Sequence, residues 1–207
     1  LVRGVIFTSV TITGSDQTGG IVGRNAGGDI VETRVTGSVS GDRYTGGVVG
    51  LSSGVVRRTG STANVSGSGN QAGGLVGENR NLIEQSYAKG SVSGSFDVGG
   101  LVGKNDNGAN VKNSFATGSV SGTSTLGGLV GNNAGSVSNS YWDADVNGNG
   151  QDSDSTGSFD ATSLITTQMQ RFAPQVNMGN LDFDSVWVVT TDYPRLAWEG
   201  ATALTVD

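Results

Sequence analysis

The chain of 207 residues carries a formal net charge of −6 and contains neither cysteine nor histidine. This excludes disulfide bonds, thiolate and imidazole metal sites, and catalysis by a cysteine nucleophile or a histidine base. Hydrophobic residues make up 34% of the chain and glycine occupies 36 positions, so the apolar side chains are few and mostly small. We therefore expect a narrow core.

Charge and hydropathy restrict the possible partners. Residues 1–141 carry ten Lys/Arg and eight Asp/Glu, and residues 142–207 carry two and ten, which gives charges of +2 and −8. Neither part has the basic stripe that indicates nucleic-acid binding. No apolar run approaches the roughly 18 residues of a membrane span, and no signal peptide opens the chain. Because residue 1 falls inside a repeat, we expect targeting signals to lie outside this segment.

Two short elements repeat along the chain. Gly-Gly-[Leu/Val/Ile]-Val-Gly occurs at residues 19–23, 46–50, 73–77, 99–103 and 127–131, at spacings of 27, 27, 26 and 28 residues. Thr-Ile-Thr-Gly or a variant of Ser-Val-Ser-Gly keeps the same period, at residues 11–14, 38–41, 64–67, 91–94 and 119–122. A fixed period of this length is typical of a repeat architecture.

Side chains within a repeat alternate with strand periodicity. Ala88, Gly90 and Val92 share one face of an extended run, and Tyr87 and Lys89 lie on the other. The segments between turn residues are too short for ordinary helices. We predict an all-β fold, a parallel β-solenoid of five to six coils with about 27 residues per coil. Its predicted interior is formed by Ile21, Val48, Leu75, Leu101 and Leu129 with Ile12, Val39, Val65, Val92 and Val120.

Glycine and asparagine are expected to serve the packing of the coils. The glycines of the five-residue element are expected to adopt positive φ at turns and to let opposing walls approach closely. An asparagine follows the element in four repeats, where we expect left-handed turns and amides stacked from coil to coil. These residues are Asn25, Asn79, Asn105 and Asn133, and Ser52 interrupts the series.

The character of the chain changes after Tyr141. Trp142 falls where Ala88 and Ala116 stand in earlier repeats, and a narrow interior is not expected to hold an indole ring. We therefore predict a solenoid over residues 1–141 and a small irregular or α+β capping segment over residues 142–207, with a short helix near residues 163–171. The N-terminal end has no comparable cap, which suggests further upstream repeats or end-to-end self-association.

The repeat pattern resembles a known family. Residues 113–122 read Asn-Ser-Phe-Ala-Thr-Gly-Ser-Val-Ser-Gly after Gly-Gly-Leu-Val-Gly, an asparagine and an apolar position. This resembles the GLUG repeat of bacterial surface proteins, including large adhesins and the non-catalytic parts of immunoglobulin A peptidases, over roughly residues 5–142. The first coil departs from the motif, and residues 57–61 replace its Asn-Ser-Tyr-Ala. Motifs at residues 140–143 and 193–198 resemble the segment that often follows such arrays.

This resemblance implies a non-catalytic structural or adhesive module of a bacterial surface protein, located extracellularly at the cell surface. Such a module would act as a stiff stalk or a display surface and would bind a surface receptor or a glycan. The fold alone does not identify the ligand.

An acidic loop after the last repeat predicts a calcium site. Its oxygen-bearing residues alternate around a glycine turn, as hard cations prefer. Two features depart from the usual calcium loop: an aspartate replaces the final glutamate, and no clear helix flanks the loop. The alternative is a solvated acidic linker. The candidate Ca²⁺ ligands are Asp143, Asp145, Asn147, Asn149, Gln151 and Asp154.

Three alternative functions remain open from the sequence. The outward hydroxyl row of Thr11, Thr13 and the Ser-Val-Ser elements would suit ice binding, although an ordinary solvated strand face explains it equally well. Trp142, Trp187, Tyr193 and Trp198 would form either a sugar platform or a core, and we interpret them as core. A polysaccharide-active solenoid enzyme would need two carboxylates in a groove, and the acidic residues do not recur on a strand face.

Overall fold

Equivalent strands of successive repeats lie side by side in parallel, so each repeat forms one coil of a β-solenoid. The computed structural model describes residues 1–147 and 156–200. About five turns, about 27 residues apart, build the stack, which confirms the predicted fold class. The pairing is in register throughout the five-stranded sheet, where the valine at the fourth position of the five-residue element pairs with its counterpart in the adjacent coil: Val22, Val49, Val76, Val102 and Val130.

Two parallel sheets contain the strands of the coils. The five-stranded sheet contains Val22–Asn25, Val49–Ser52, Val76–Asn79, Val102–Asn105 and Val130–Asn133. The other sheet has 18 strands within the described residues: Val2–Arg3, Ile6–Thr13, Thr18–Gly19, Ile30–Val31, Arg34–Gly41, Thr45–Gly46, Val56–Arg57, Gly60–Ser61, Asn64–Gly73, Leu82–Glu84, Tyr87–Ala88, Val92–Gly99, Asn110–Lys112, Phe115–Ala116, Val120–Gly122, Leu126–Gly127, Ser136–Asp143 and Ser158–Leu164.

The main interior consists of several columns of aliphatic side chains, one of which is formed by the third residue of the five-residue element. Val48, Leu75, Leu101 and Leu129 are at most 1% exposed, and Ile21 of the first coil packs against them while partly buried. In-register stacking places the same apolar side chain on its counterpart in the next coil, so each coil buries the surface that its neighbour leaves open. These predicted interior positions are confirmed.

A second, smaller core cluster corrects one prediction. Val65, Val92 and Val120 pack with Ala72 and Val98 in a separate cluster and do not contribute to the main interior. The reason is that strands such as Val92–Gly99 continue past a glycine, so that their two halves face each other across a narrow gap. A Cβ atom on Gly94 would lie 2.8 Å from Cγ2 of Val98, so only glycine permits this approach.

The paired glycines allow close stacking of the coils. A Cβ atom on Gly47, Gly74 or Gly100 would overlap the carbonyl oxygen of the equivalent glycine in the next coil. None of these residues has a positive φ, so that part of the prediction is wrong. The left-handed corners are instead formed by non-glycine residues in two series: Gln17, Tyr44, Gln71, Asp97 and Thr125, and Glu32, Arg58, Gln85, Asn113 and Asn139.

The stack continues beyond Trp142. Strand Ser158–Leu164 pairs in parallel with Ser136–Asp143, and Trp142 is 4% exposed within the main core. The prediction that the interior excludes an indole ring is wrong, because Gly128 leaves space for it. A Cβ atom at Gly128 would overlap the ring.

Residues 165–200, the C-terminal segment, pack against the side of the stack, whereas the sequence predicted a terminal cap. Tyr87, Phe115 and Tyr141 are equivalent residues of successive coils, and their rings contact Met169, Met178, Leu181, Trp187 and Leu196 of the segment. The segment contains helices Thr166–Met169 and Pro174–Asn177, the antiparallel strands Trp187–Val188 and Arg195–Leu196, and the 3-10 helix Ala197–Glu199. Over the described ranges, no helix has the length and apolarity to cross a membrane.

Candidate functional site

The predicted calcium loop begins at a buried carboxylate. Asp143 ends the strand Ser136–Asp143 and is fully buried. Its Oδ1 accepts the backbone N–H groups of Asp145 at 3.0 Å and Val146 at 3.4 Å. Its Oδ2 accepts the hydroxyl groups of Thr166 at 2.8 Å and Tyr193 at 2.5 Å. Asp143 therefore connects the last strand of the full coils to the C-terminal segment.

The remaining predicted ligands lie partly outside the described residues. Asp145 Oδ2 accepts the backbone N–H of Thr166 at 3.0 Å, and the backbone N–H of Asn147 donates to the carbonyl of Asp143 at 3.0 Å. Asn149, Gln151 and Asp154 fall in residues 148–155, which the structure does not describe. Within residues 1–147 and 156–200, no three His, Cys, Asp or Glu side chains group to hold a metal ion. The calcium site stays a prediction.

The four aromatic residues proposed for a sugar platform are not gathered on one surface. Trp142 packs in the main core, with its ring centroid 6.1 Å from that of Phe159. Trp187 is 1% exposed and lies 5.2 Å from the Phe115 ring. Tyr193 and Trp198 are partly buried against the cluster around Trp187. Their interpretation as core residues is confirmed.

A buried polar cluster lies between the coils and the C-terminal segment. The side chain of Glu199 is 1% exposed, and the Tyr87 hydroxyl donates to its two carboxylate oxygens at 2.8 and 3.1 Å. Arg34 Nη1 lies 3.7 Å from Glu199 Oε2. Burial raises the pKa of Glu199 despite the hydrogen bond from Tyr87 and the charge of Arg34. Burial also raises the pKa of Tyr87, with the carboxylate of Glu199 as the second cause.

Lys89 occupies the same interface. Its ammonium group donates to the carbonyl oxygen of Tyr193 at 3.3 Å and lies 5.1 and 5.5 Å from the ring centroids of Tyr87 and Tyr193. Burial lowers the pKa of Lys89 to about 8. These contacts hold the segment against the coils, so the cluster supports a structural role.

The outward hydroxyl row forms a regular array. Thr13, Ser40, Ser66, Ser93 and Ser121 are register partners in successive coils, and all are exposed except the half-buried Ser40. Parallel strands place such partners about 4.8 Å apart. The positions two residues earlier form a second column, exposed except at the half-buried Ser38, in which Ser91 Oγ donates to Asn64 Oδ1 at 2.9 Å. The array therefore presents evenly spaced hydroxyl groups and one amide, without a formal charge.

Two buried polar columns stabilise the stack along its axis. Asn79 Nδ2 donates to Asn105 Oδ1 at 2.9 Å, and Asn105 Nδ2 donates to Asn133 Oδ1 at 2.8 Å, so the predicted amide stacking is confirmed. The predicted left-handed conformation is wrong for these asparagines. Sequence reasoning missed a second column of buried hydroxyl groups. The serine hydroxyls accept backbone N–H groups of the preceding coil, and the Thr33 hydroxyl donates to that of Thr59. The column consists of Thr33, Thr59, Ser86, Ser114 and Ser140. The serine that directly precedes the aromatic residue of each later repeat could have indicated this column from the sequence.

Opposite charges alternate in one exposed column. Arg57, Glu84 and Lys112 are register partners, with nitrogen–oxygen distances of 3.5 and 3.1 Å between neighbours. Such half-exposed pairs contribute little to stability individually. Their alternation nevertheless disfavours a slip of one coil against the next, because a slip would separate these opposite charges.

Comparison with known proteins identifies one family motif. The family model described as the GLUG motif matches residues 94–121, which span one repeat from Gly94 to Ser121. No curated protein and no solved structure shows a significant match to the chain. The motif and the stacked coils together support a GLUG-repeat protein with a β-solenoid fold.

Proposed function

We propose that the chain is a non-catalytic structural and adhesive module of an extracellular bacterial surface protein. The observation that supports it best is the buried asparagine column, in which side-chain hydrogen bonds of 2.8 and 2.9 Å run from coil to coil. Buried hydrogen bonds in a low-dielectric interior resist distortion, so they oppose bending between coils. The GLUG motif at residues 94–121 supports the same reading. The coils would serve as a stiff stalk or a display surface for an unidentified surface receptor or glycan.

If the chain forms a stalk, the length of the particle should increase with the number of coils. Three additional copies of residues 22–48, inserted before Val49, should lengthen the particle by about 14 Å, since parallel strands stack about 4.8 Å apart. Small-angle X-ray scattering measures this as an increase in maximum dimension. The control carries a Gly/Ser insertion of equal length at the same site, which should add a flexible loop. Equal scattering from both variants would contradict the stalk proposal.

Adhesion requires a separate assay. Beads coated with the folded chain should be retained on a host-cell or polysaccharide surface under flow. Beads coated with a variant that does not fold, such as Gly100→Val, should be released. Equal retention of both would show that the coils' surface is not recognised. The non-catalytic character stays a proposal, and release of reducing sugar from a polysaccharide panel would contradict it.

The hydroxyl array favours a second candidate function, the binding of ice or carbohydrate. Its columns present hydroxyl groups at a spacing set by the strands, and a repeating ligand surface would match such an array. Ser93→Lys places a charged chain in the centre of the array, whereas Asn107→Lys changes an exposed turn elsewhere. Only the first should abolish inhibition of ice recrystallisation or binding to a glycan array. Inactivity of the unmodified chain in both assays would exclude this candidate.

A further inference from the structure

The C-terminal segment, residues 165–200, is attached to the coils through side chains. Within the described residues, no hydrogen bond between two backbone groups joins the segment to the coils. The hydrogen bonds between them involve side chains, such as those of Thr166 and Tyr193 to the carboxylate of Asp143. Neighbouring coils, in contrast, are paired through backbone ladders. The segment can therefore leave the coils without breaking the pairing of their strands.

Internal hydrogen bonds hold the C-terminal segment together. Its two strands pair with each other in antiparallel orientation, separately from the sheets of the coils. The backbone N–H of Ala197 donates to the Val186 carbonyl at 2.9 Å, and that of Arg171 donates to the Asp192 carbonyl at 3.3 Å. These bonds connect the beginning of the segment to its end, so the segment should move as one unit.

The interface buries the ammonium group of Lys89 among aromatic rings. Its hydrogen bond of 3.3 Å to the Tyr193 carbonyl uses one of the three donors of the ammonium group. The ring centroids of Tyr87, Phe115 and Tyr193 lie 5.1, 5.9 and 5.5 Å from its nitrogen. Docking of the segment therefore removes water from a cation, and this burial lowers the pKa of Lys89 to about 8.

The carboxylate of Glu199 is buried at the same interface. It accepts two hydrogen bonds from a single hydroxyl group, that of Tyr87, and burial raises the pKa of Glu199. Docking thus removes water from an anion as well. The other charged or titratable groups that face Lys89 and Glu199 are Arg34 on the coils and Asp192, Tyr193 and Arg195 on the segment.

The docked state favours the neutral forms of both groups. Opening restores the ordinary pKa values of 10.5 for Lys89 and 4.5 for Glu199. Docking becomes more favourable as the pH falls and Glu199 is protonated. It also becomes more favourable as the pH rises from about 8 to 10.5 and Lys89 loses its proton. Near neutral pH both groups are charged, so docking is weakest there.

We propose that the C-terminal segment is a strap that opens from the folded coils as one unit, most readily near neutral pH, and uncovers the aromatic column of Tyr87, Phe115 and Tyr141. Mild acid or mild alkali tightens the strap, and the coils stay folded in both states. This switch does not depend on the adhesive role proposed above.

Thiol labelling measures the opening, since the chain has no cysteine of its own. Val186→Cys places a thiol in the cluster between segment and coils, and Val102→Cys places a matched thiol in the core of the coils. At pH 7 and low reagent concentration, iodoacetamide should react with the first at least about tenfold faster, because local opening needs less free energy than global unfolding. Each rate is divided by that of an unstructured cysteine peptide at the same pH. Leu196→Cys and Leu101→Cys repeat the comparison at two fully buried positions.

The pH dependence identifies the groups that control the strap. The normalised labelling rate of Val186→Cys should fall about tenfold from pH 7 to pH 9, as pKa values of about 8 when docked and 10.5 when open require for Lys89. It should also fall from pH 7 to pH 5, where Glu199 takes up a proton. Adding Lys89→Met should remove the first decrease and adding Glu199→Gln should reduce the second, with unchanged circular dichroism spectra.

Two results would overturn the proposal. Equal normalised rates at the segment and coil positions would show that the segment leaves only when the whole chain unfolds. A rate at Val186→Cys that stays constant from pH 5 to pH 9, or that changes equally in the Lys89→Met background, would show that the buried charges do not control the opening.

Discussion

The indole ring of Trp142 fills the space in which a side chain on Gly128 would lie. Trp142 lies in strand Ser136–Asp143 and is 4% exposed, whereas Gly128 lies in the bend between strands Leu126–Gly127 and Val130–Asn133. A large residue thus enters a narrow interior only where the sequence supplies a glycine opposite it.

This packing predicts that a single methyl group added at Gly128 lowers the free energy of unfolding. Gly128→Ala should destabilise the protein by about 1–3 kcal/mol, because the paired strands on either side of Gly128 hold its backbone and the ring must shift to relieve the overlap. Urea denaturation measures the loss. Gly179→Ala is the matched control, since the nearest atom to its Cβ would be the Val176 carbonyl oxygen at 3.8 Å. A loss of stability in the control equal to that of Gly128→Ala would contradict this explanation.

The asparagine column predicts that two substitutions at Asn105 reduce the stability of the protein by different amounts. Asn105→Ala removes the donor to Asn133 Oδ1 and one of the acceptors of Asn79 Nδ2, two buried hydrogen bonds whose loss should cost about 1–3 kcal/mol. Asn105→Ser should cost less, because Ser52 occupies the equivalent position in another coil and both accepts from Asn25 and donates to the Gly54 carbonyl. Thermal melts of the two variants test this order. Equal losses of stability in the two variants would indicate that the packing of the asparagine side chain stabilises the coils and that its hydrogen bonds do not.

Lys89 predicts a stability change at alkaline pH. Burial lowers its pKa to about 8 from the ordinary value of 10.5, so between these values the unfolded chain binds a proton that the folded chain releases. The cost of burying the ammonium is fully present below pH 8 and decreases as the pH rises towards 10.5. The total change is up to about 3 kcal/mol.

The Lys89→Met variant isolates this contribution. The unmodified chain should gain stability relative to Lys89→Met between pH 8 and pH 10, measured by urea denaturation of both proteins at each pH. Tyr87 and Tyr193 have raised pKa values, so they reduce stability only as the pH rises through the ordinary tyrosine value of 10.0, at the upper end of this range, and they do so in both proteins. A constant difference across this range would show that the amine stays protonated in the folded protein.

The acidic loop predicts stabilisation by calcium. Chelation should lower the melting temperature of the unmodified chain, and Asp145→Ala should remove that response. Asp182→Ala is the control, because Asp182 also accepts backbone N–H groups in a turn but lies outside the loop. No dependence on the chelator in the unmodified chain would refute the calcium site.

The period of the sequence predicts the coils because in-register stacking needs equivalent residues at equivalent positions. Leu75 and Leu101 were placed correctly for this reason. The separate packing of Val92 could not be predicted, since it depends on Val98 returning across a gap only after the strand passes Gly94. The site of Trp142 likewise depends on a residue 14 positions earlier in the chain, whose proximity the repeat pattern does not indicate.

The calcium loop and the C-terminal segment show a second limit of prediction from the sequence. Sequence spacing identified Asp143 as an oxygen-bearing residue but not its hydrogen-bond partners Thr166 and Tyr193, which the fold brings from the C-terminal segment. The buried Lys89–Glu199 cluster gave no periodic signal, because each residue occurs once and its partners are distant in sequence. Residues that act within the repeat were therefore easier to predict than residues that join the repeat to the segment.

The position of the C-terminal segment has a consequence for the order of folding. The indole N–H of Trp198 donates to the carbonyl of Arg58 at 2.8 Å, across 140 residues of sequence. Glu199 reaches as far back as Arg34, so the segment connects early coils with late ones. Such contacts close only after the intervening coils have stacked, and they must break before a middle coil can unravel alone. The segment thus makes a set of locally stabilised repeats unfold together, as one cooperative unit.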